Sequence, residues 1–320
     1  MNQNLEMIVK AVMIGHAIGD ALGVPVEFCE RDELSKGPVD DMEGFGTFPV
    51  PAGSWSDDTS MSIATLDSLK LGTLNFDDIM INFGKWYYKD EFTPTGEMFD
   101  VGNTCSYAID NYFVHKKPIN SCGLDNEHSN GNGSLMRIHP IALYLHTRDD
   151  LNIEEKIAII HSTSAITHAH IRSQIACGIY SFILNETLEH PEKQSIQIGI
   201  NKAFDIYKNE PEIGHYKRLF DSDFVGTPIC NIKSSGYVVD TLEAALWCVL
   251  TTDSYSDCVL KAVNLGDDTD TVAAIAGGIA GALYGYNAIP NSWKDTLLRR
   301  DYIEQMCEVA AKNWTSRNFI

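Results

Sequence analysis

The sequence predicts an all-α protein, a single compact domain of orthogonally packed helices over residues 1–320. Three observations lead there. Apolar residues recur at helical spacing along most of the chain, and alternating runs of strand type are scarce. The loops are rich in Gly, Pro, Asn and Asp, but none is long or monotonous enough for an interdomain linker. At about 150 residues per domain the length would admit two domains. No internal repeat of roughly 20–50 residues divides the chain, so one domain is expected.

Taken in order, the expected helices are Leu5–Leu22, Thr59–Leu71, Phe76–Tyr88, Leu135–Leu145, Ile153–His161, Ala165–Leu184, Ser195–Tyr207, Thr241–Leu250 and Thr271–Tyr284. Phe45–Val50, between Gly and Pro, is the best candidate for an extended segment. Phe28–Trp55, Phe92–Gly102, Lys116–Gly133 and Glu210–Gly236 read as loops. The last expected helix is nearly all small or apolar, with Gly277, Gly281 and Gly285 four apart. Glycine inside a helix costs about 1 kcal/mol relative to alanine, so close packing against another backbone is expected there. Its apolar run is shorter than the roughly 18–20 residues of a membrane span.

Twenty-four Lys and Arg against 44 Asp and Glu give a net charge of −20. That balance argues against nucleic acid and against an anionic membrane surface as partners. It also means that a phosphate-bearing substrate would need a local positive site. The eight cysteines form no Cys-x-x-Cys and no zinc-finger spacing, so a reducing cytoplasm is the expected location. Met1–Lys10 has no basic leader pattern, and no signal peptide is expected.

Two segments concentrate oxygen donors at helix starts: Gly53–Met61 (GSWSDDTSM) and Leu265–Val272 (LGDDTDTV). A single Asp, Ser or Thr at such a place serves as a cap. Asp57–Asp58 and Asp267–Asp268–x–Asp270 exceed that need, because adjacent carboxylates repel unless a cation relieves them. Small hard oxygen ligands suit Mg2+, Mn2+ or Ca2+. If the clusters meet, their five or six oxygens suffice for two cations about 3.5–4 Å apart. An EF-hand is excluded, since Asp268-x-Asp270 lacks the later Gly and Glu of that loop. Three further features accompany them. These are the series Gly15, Gly19, Asp20, Gly23 and Glu27, the turn Asp100–Asn103, and Ser129–Ser134 (SNGNGS), whose backbone N–H groups suit an anion such as a diphosphate.

Together and in order, Gly19-Asp20…Glu27, Ser56–Thr59, Asp100–Asn103, Gly131–Arg137, Thr167-His168, Ser235–Leu242 and Gly266–Thr271 resemble the ADP-ribosylglycohydrolase family, in particular the dinitrogenase reductase-activating glycohydrolase group. The match spans roughly residues 11–285. The resemblance implies an all-α fold with a dinuclear metal site in a central cleft. Ser56, Asp57, Asp58, Asp268, Asp270 and Thr271 would be the ligands of two divalent cations, Mg2+ first and Mn2+ as the alternative. The family commonly has Thr where Ser56 stands, and serine keeps the hydroxyl oxygen. Asp267 stands where Gly is often found, either supporting the ligands or simply exposed.

The implied activity is an N-glycosyl hydrolase removing mono-ADP-ribose from protein side chains, most often arginine. Alternatives are another linkage (serine, O-acetyl-ADP-ribose, poly-ADP-ribose) or a non-catalytic ADP-ribose-binding paralogue. Glu27 and Asp100 are both candidates for the catalytic carboxylate, and the sequence does not choose between them. Gly102, Asn103, Gly131, Asn132, Gly133, Ser134, His168, Gly236 and Tyr237 would contact substrate. The expected partner is an ADP-ribosylated protein, with an ADP-ribosylating enzyme or toxin as functional counterpart.

Overall fold

The computed structural model describes residues 2–315, and among them every regular element is helical. The α-helices are α1 (Asn2–Gly23), α2 (Arg31–Leu34), α3 (Asp57–Leu69), α4 (Phe76–Lys89), α5 (Asn103–Phe113), α6 (His139–His146), α7 (Ile153–Ala165), α8 (Ile171–Glu189), α9 (Lys193–Tyr207), α10 (Val238–Leu250), α11 (Tyr255–Val263), α12 (Thr269–Tyr284), α13 (Asn291–Thr296) and α14 (Arg300–Thr315). Side-chain caps explain several starts. Ser56 accepts from the Asp58 N–H, Asn75 from those of Asp77 and Asp78, and Ser254 from that of Asp257. Asn152 and Glu155 form a reciprocal capping box.

Where the expected elements shift, local bonds explain it. Ala165–Leu184 is two helices, because the chain between them pairs with Leu124. Leu124 N–H donates to the Thr167 carbonyl (2.9 Å), and Ala169 N–H donates back to the Leu124 carbonyl (2.8 Å). His170 then caps α8. Leu135–Leu145 becomes helical only from His139, since residues 131–137 turn beside the 236–238 segment. Phe45–Val50 is a closed bend rather than a strand, with the Phe45 N–H donating to the Val50 carbonyl at 2.8 Å. Helices α2, α5, α11, α13 and α14 lie outside the expected helices, α2 within the expected loop Phe28–Trp55.

One hydrophobic core runs from Val9 to Trp314. At its centre α1 lies along α12, the most extensive helix pairing in the molecule. The pairing is a seam of small residues. A Cβ built on Gly15 would lie 2.5 Å from the Gly277 carbonyl oxygen, one on Gly19 2.1 Å from that of Ala273, and one on Gly281 2.1 Å from that of Ala11. Glycine four apart on both helices lets the backbones touch, which accounts for its presence despite the helix cost. Leu5–Val26 has the length and apolarity of a membrane span, but most of it is buried by the rest of the protein. The seam continues to Gly23, whose carbonyl accepts from Thr269 Oγ1 at 2.8 Å. It therefore delivers the end of α1 and the start of α12 to one place.

Candidate active site

Asp20, on the last turns of α1, fixes the start of α3. Its Oδ1 accepts from the Ser56 N–H (2.9 Å), and its Oδ2 accepts from the Thr59 N–H (3.0 Å) and from Thr59 Oγ1 (2.6 Å). With Asp20 and the Ser56 hydroxyl doing the capping, Asp57 and Asp58 are released from that task. Asp58 is fully buried, and its Oδ1 accepts from Thr271 Oγ1 at 3.3 Å. The two oxygen-rich segments, 210 positions apart, thus meet through a direct bond. Carboxylate oxygens of Asp20, Asp58 and Asp270 lie within 4.8 Å of one another, and so do those of Glu27, Asp100 and Asp270.

The outer ring is held by loop contacts. Asp57 Oδ2 accepts from the Gly102 N–H at 3.3 Å, tying Asp100–Asn103 to the first segment. Asp268 Oδ2 accepts from Asn132 Nδ2 at 2.8 Å, and the same amide reaches Thr241 Oγ1 at 3.0 Å. Asp100 Oδ1 accepts from the neighbouring Val101 N–H at 2.8 Å. Among the described residues three carboxylate oxygens are buried without a hydrogen bond: Asp58 Oδ2, Asp268 Oδ1 and Glu27 Oε2.

Burial, then mutual repulsion, drives these acids upward. Burial first and the charges of Asp100, Asp268 and Asp57 next push the Glu27 carboxyl up to about 10. Asp57, Asp58 and Asp270 are all raised well above the carboxylate range, by burial and then by one another and by neighbouring acids. Asp20 rises to about 6 through burial, opposed by its bonds to Thr59 and Ser56. Lone oxygens on crowded carboxyl groups are what a hard divalent cation relieves, so the donor set fits such an ion.

The Ser129–Ser134 loop pairs with the segment before α10. The Asn132 N–H donates to the Gly236 carbonyl and the Val238 N–H to the Asn130 carbonyl, each at 3.0 Å. A Cβ on Gly236 would lie 3.0 Å from Asp268 Oδ2, so this backbone borders the acids. His168 is buried beneath the loop: a Cβ on Gly133 would lie 2.9 Å from its Cε1. Burial and the charge of Arg137 hold the imidazole down at about 3, hence neutral.

Several of the residues expected at the substrate also bond within the protein. The Ser134 side chain, expected on substrate, turns into the core and accepts from Ser164 Oγ at 2.8 Å, leaving its backbone alone for a ligand. Asn132 spends its amide on Asp268 and Thr241, which makes it a support for an acid. Tyr237 is half-buried near His215, its hydroxyl 3.4 Å from Nδ1, with the Arg172 guanidinium 5.8 Å from its ring. Gly102 and Asn103 are exposed at the start of α5, Gly131 borders the loop pairing, and Asp267 is exposed. Asp20 stands in the Gly19-Asp20…Glu27 motif but was given no role there; the structure makes it the group that fixes the start of α3.

Fold and site define a class: a helical hydrolase built around a cation-ready cleft of carboxylates. The chain belongs to the ADP-ribosylglycohydrolase family, whose model matches residues 1–318, and its members hydrolyse glycosidic bonds. It is 35% identical over 93% of its length, and 77% of the relative's, to the ADP-ribosylarginine hydrolase Tri1 of Serratia proteamaculans. It is 33% identical to the ADP-ribosyl-[dinitrogen reductase] glycohydrolase of Rhodospirillum rubrum, over 89% of this chain and 88% of that one. A solved structure titled ADP-ribosylglycohydrolase-related protein complex superimposes with a TM-score of 0.80 at 26% identity, covering 98% of this chain and 99% of that one.

Proposed function

We propose that the protein hydrolyses the bond between ADP-ribose and a modified arginine on proteins. The observation that carries this is the convergence of Glu27, Asp100 and Asp270 beside the Asp58–Thr271 junction, next to a glycine-rich loop suited to an anion. The names of the relatives from Serratia and Rhodospirillum supply the arginine linkage and the protein substrate. Ser56, Asp57, Asp58, Asp268, Asp270 and Thr271 would hold two divalent cations, Mg2+ first and Mn2+ as the alternative. Bound there, such ions supply Lewis-acid polarisation at the ribose.

The chain's own groups do the rest. Backbone N–H groups around Gly131–Ser134 receive the diphosphate. Cleavage passes through an oxocarbenium-like state, which a neighbouring carboxylate stabilises while taking a proton from water. Glu27 and Asp100 are the two groups placed for that. The spacing of the eight cysteines, with no Cys-x-x-Cys and no disulfide-scaffold density, is the ground for placing the protein in a reducing cytoplasm.

The test is hydrolysis of a defined ADP-ribosylarginine peptide with Mg2+ or Mn2+, alongside serine-linked, O-acetyl and polymeric ADP-ribose. Preference for the arginine conjugate, lost in chelator, is the expected result. Full turnover in chelator, or preference for another linkage, would overturn it.

A further inference from the structure

Arg137 is fully buried, yet no carboxylate among the described residues pairs with it. Its guanidinium lies 4.8 Å from the centre of the Phe83 ring. Nη2 donates to the Thr163 carbonyl (3.3 Å) and to Thr167 Oγ1 (2.6 Å), while Nε and Nη1 have no partner. A buried cation left this way is costly and calls for a reason.

The bonds beyond it supply one. Thr167 Oγ1 also lies 2.9 Å from His168 Nδ1. That hydroxyl accepts from Arg137 and keeps one hydrogen to donate, which Nδ1 is placed to accept. The neighbouring Cys105 thiol is directed at the Gly133 carbonyl instead. A neutral imidazole that accepts at Nδ1 carries its hydrogen on Nε2. Nε2 lies under the substrate loop, 3.7 Å from where a Cβ of Gly131 would stand and 3.4 Å from one on Gly133.

We infer that Arg137 is a positioning residue: through Thr167 it fixes His168 as an Nε2–H donor aimed at the Gly131–Gly133 loop, and its unpaired charge gives this acidic protein a local attraction for an anionic ligand. The inference rests on the reading that this loop receives the diphosphate or ribose of ADP-ribose. Because the charge sits in a low-dielectric interior, it acts over a distance at which a surface lysine would be screened. The sequence posed the matching problem, a net charge of −20 with nowhere to receive phosphate.

Two variants separate the parts. Arg137→Met removes the charge at similar volume, and Thr167→Val breaks the relay while keeping the charge. The His168 imidazole is read by 1H–15N NMR of uniformly labelled, full-length protein, and ADP-ribose binding by calorimetry. Expected are an Nε2–H tautomer in the unmodified protein, loss of that single tautomer in Thr167→Val, and at least about tenfold weaker ADP-ribose binding in folded Arg137→Met. An Nδ1–H tautomer in the unmodified protein, or a tautomer unmoved by Thr167→Val, overturns the relay. Binding within twofold in Arg137→Met overturns the charge role. If Arg137→Met does not fold, Arg137→Lys replaces it: the charge role then predicts binding within about threefold, and a tenfold loss overturns it. If the unmodified protein binds no ADP-ribose, the functional reading fails, while the tautomer measurement still decides the relay.

Discussion

Asp58 keeps one oxygen, Oδ2, without a hydrogen bond although the whole side chain is buried. A carboxylate in that state gains most from a cation and loses most when made neutral. Asp58→Asn or Asp270→Asn is therefore expected to lower hydrolysis at least about 100-fold and to weaken Mn2+ binding, measured by initial rates and by calorimetry with the ion alone. Glu27→Gln and Asp100→Asn assign the proton acceptor. The variant that loses kcat while keeping KM for the arginine conjugate removes it, and two unaffected variants would remove both from the mechanism.

The sign of the pH effect follows from the raised groups. Asp20, ordinarily near 3.8, titrates near 6 in the folded chain, and Glu27, ordinarily near 4.5, near 10. The folded state then holds protons that the unfolded chain has released, so the contribution of these acids to stability falls as pH rises through that window. A divalent cation replaces the protons. The gain in urea midpoint from Mg2+ over chelator should accordingly widen from about pH 5 to about pH 8. A constant gain would mean that the ion binds elsewhere.

At this scale the acids were legible in the sequence, because Asp57–Asp58 and Asp267–Asp268–x–Asp270, each in a run of further Ser and Thr donors, exceed what one cap needs. The direction of side chains was not. Ser134 belongs to a turn whose neighbours alternate between cleft and core, and only the packing of Ser164 and Cys177 decides which way its hydroxyl goes. Asp20 was visible in its motif but its role was not, because its work is to bond backbone N–H groups 36 and 39 positions away.

The seam between α1 and α12 sets the position of the acids. Gly19→Ala would place a Cβ 2.1 Å from the Ala273 carbonyl oxygen, so two backbones must part. A loss of about 3 kcal/mol is expected by denaturant unfolding, accompanied by weaker Mg2+ binding, because Asp20 and Asp270 would separate with the helices. Gly37→Ala, where nothing lies within 4 Å, should stay within about 0.5 kcal/mol. An equal effect of both changes would remove the seam from the account. The glycine spacing announced this contact, whereas α5, α11 and α14 went unnoticed. The signal was nevertheless present: Tyr255, Cys258, Val259 and Ala262 on α11, and Ile303, Met306, Cys307 and Ala310 on α14, are buried at i, i+3, i+4, i+7 helical spacing.

For the whole molecule, most of the −20 charge is solvated surface, while the cleft acids form a separate buried group. Ion binding and folding are then linked. Mg2+ at about 100 times its dissociation constant should add about 2.7 kcal/mol to unfolding, read as a rise in the thermal midpoint that chelator reverses. No change on adding the ion would deny it the cleft. The all-helical architecture was legible because helical periodicity covers most of the core, and the ordered motifs fixed the family. The distance between the two acidic segments was not legible, since only the fold closes 210 residues to a hydrogen bond.

The α1–α12 seam also has a consequence for synthesis. Helix α1 leaves the ribosome before α12, its partner strip, which follows roughly 250 residues later. At about 5–20 residues per second, an apolar helix with a glycine face waits on the order of 10–50 s for its mate. Until then the nascent chain can neither bury that face nor complete its ring of acids. Catalytic competence therefore begins only after α12 has emerged, and until then the apolar face of α1 stays open to chaperones.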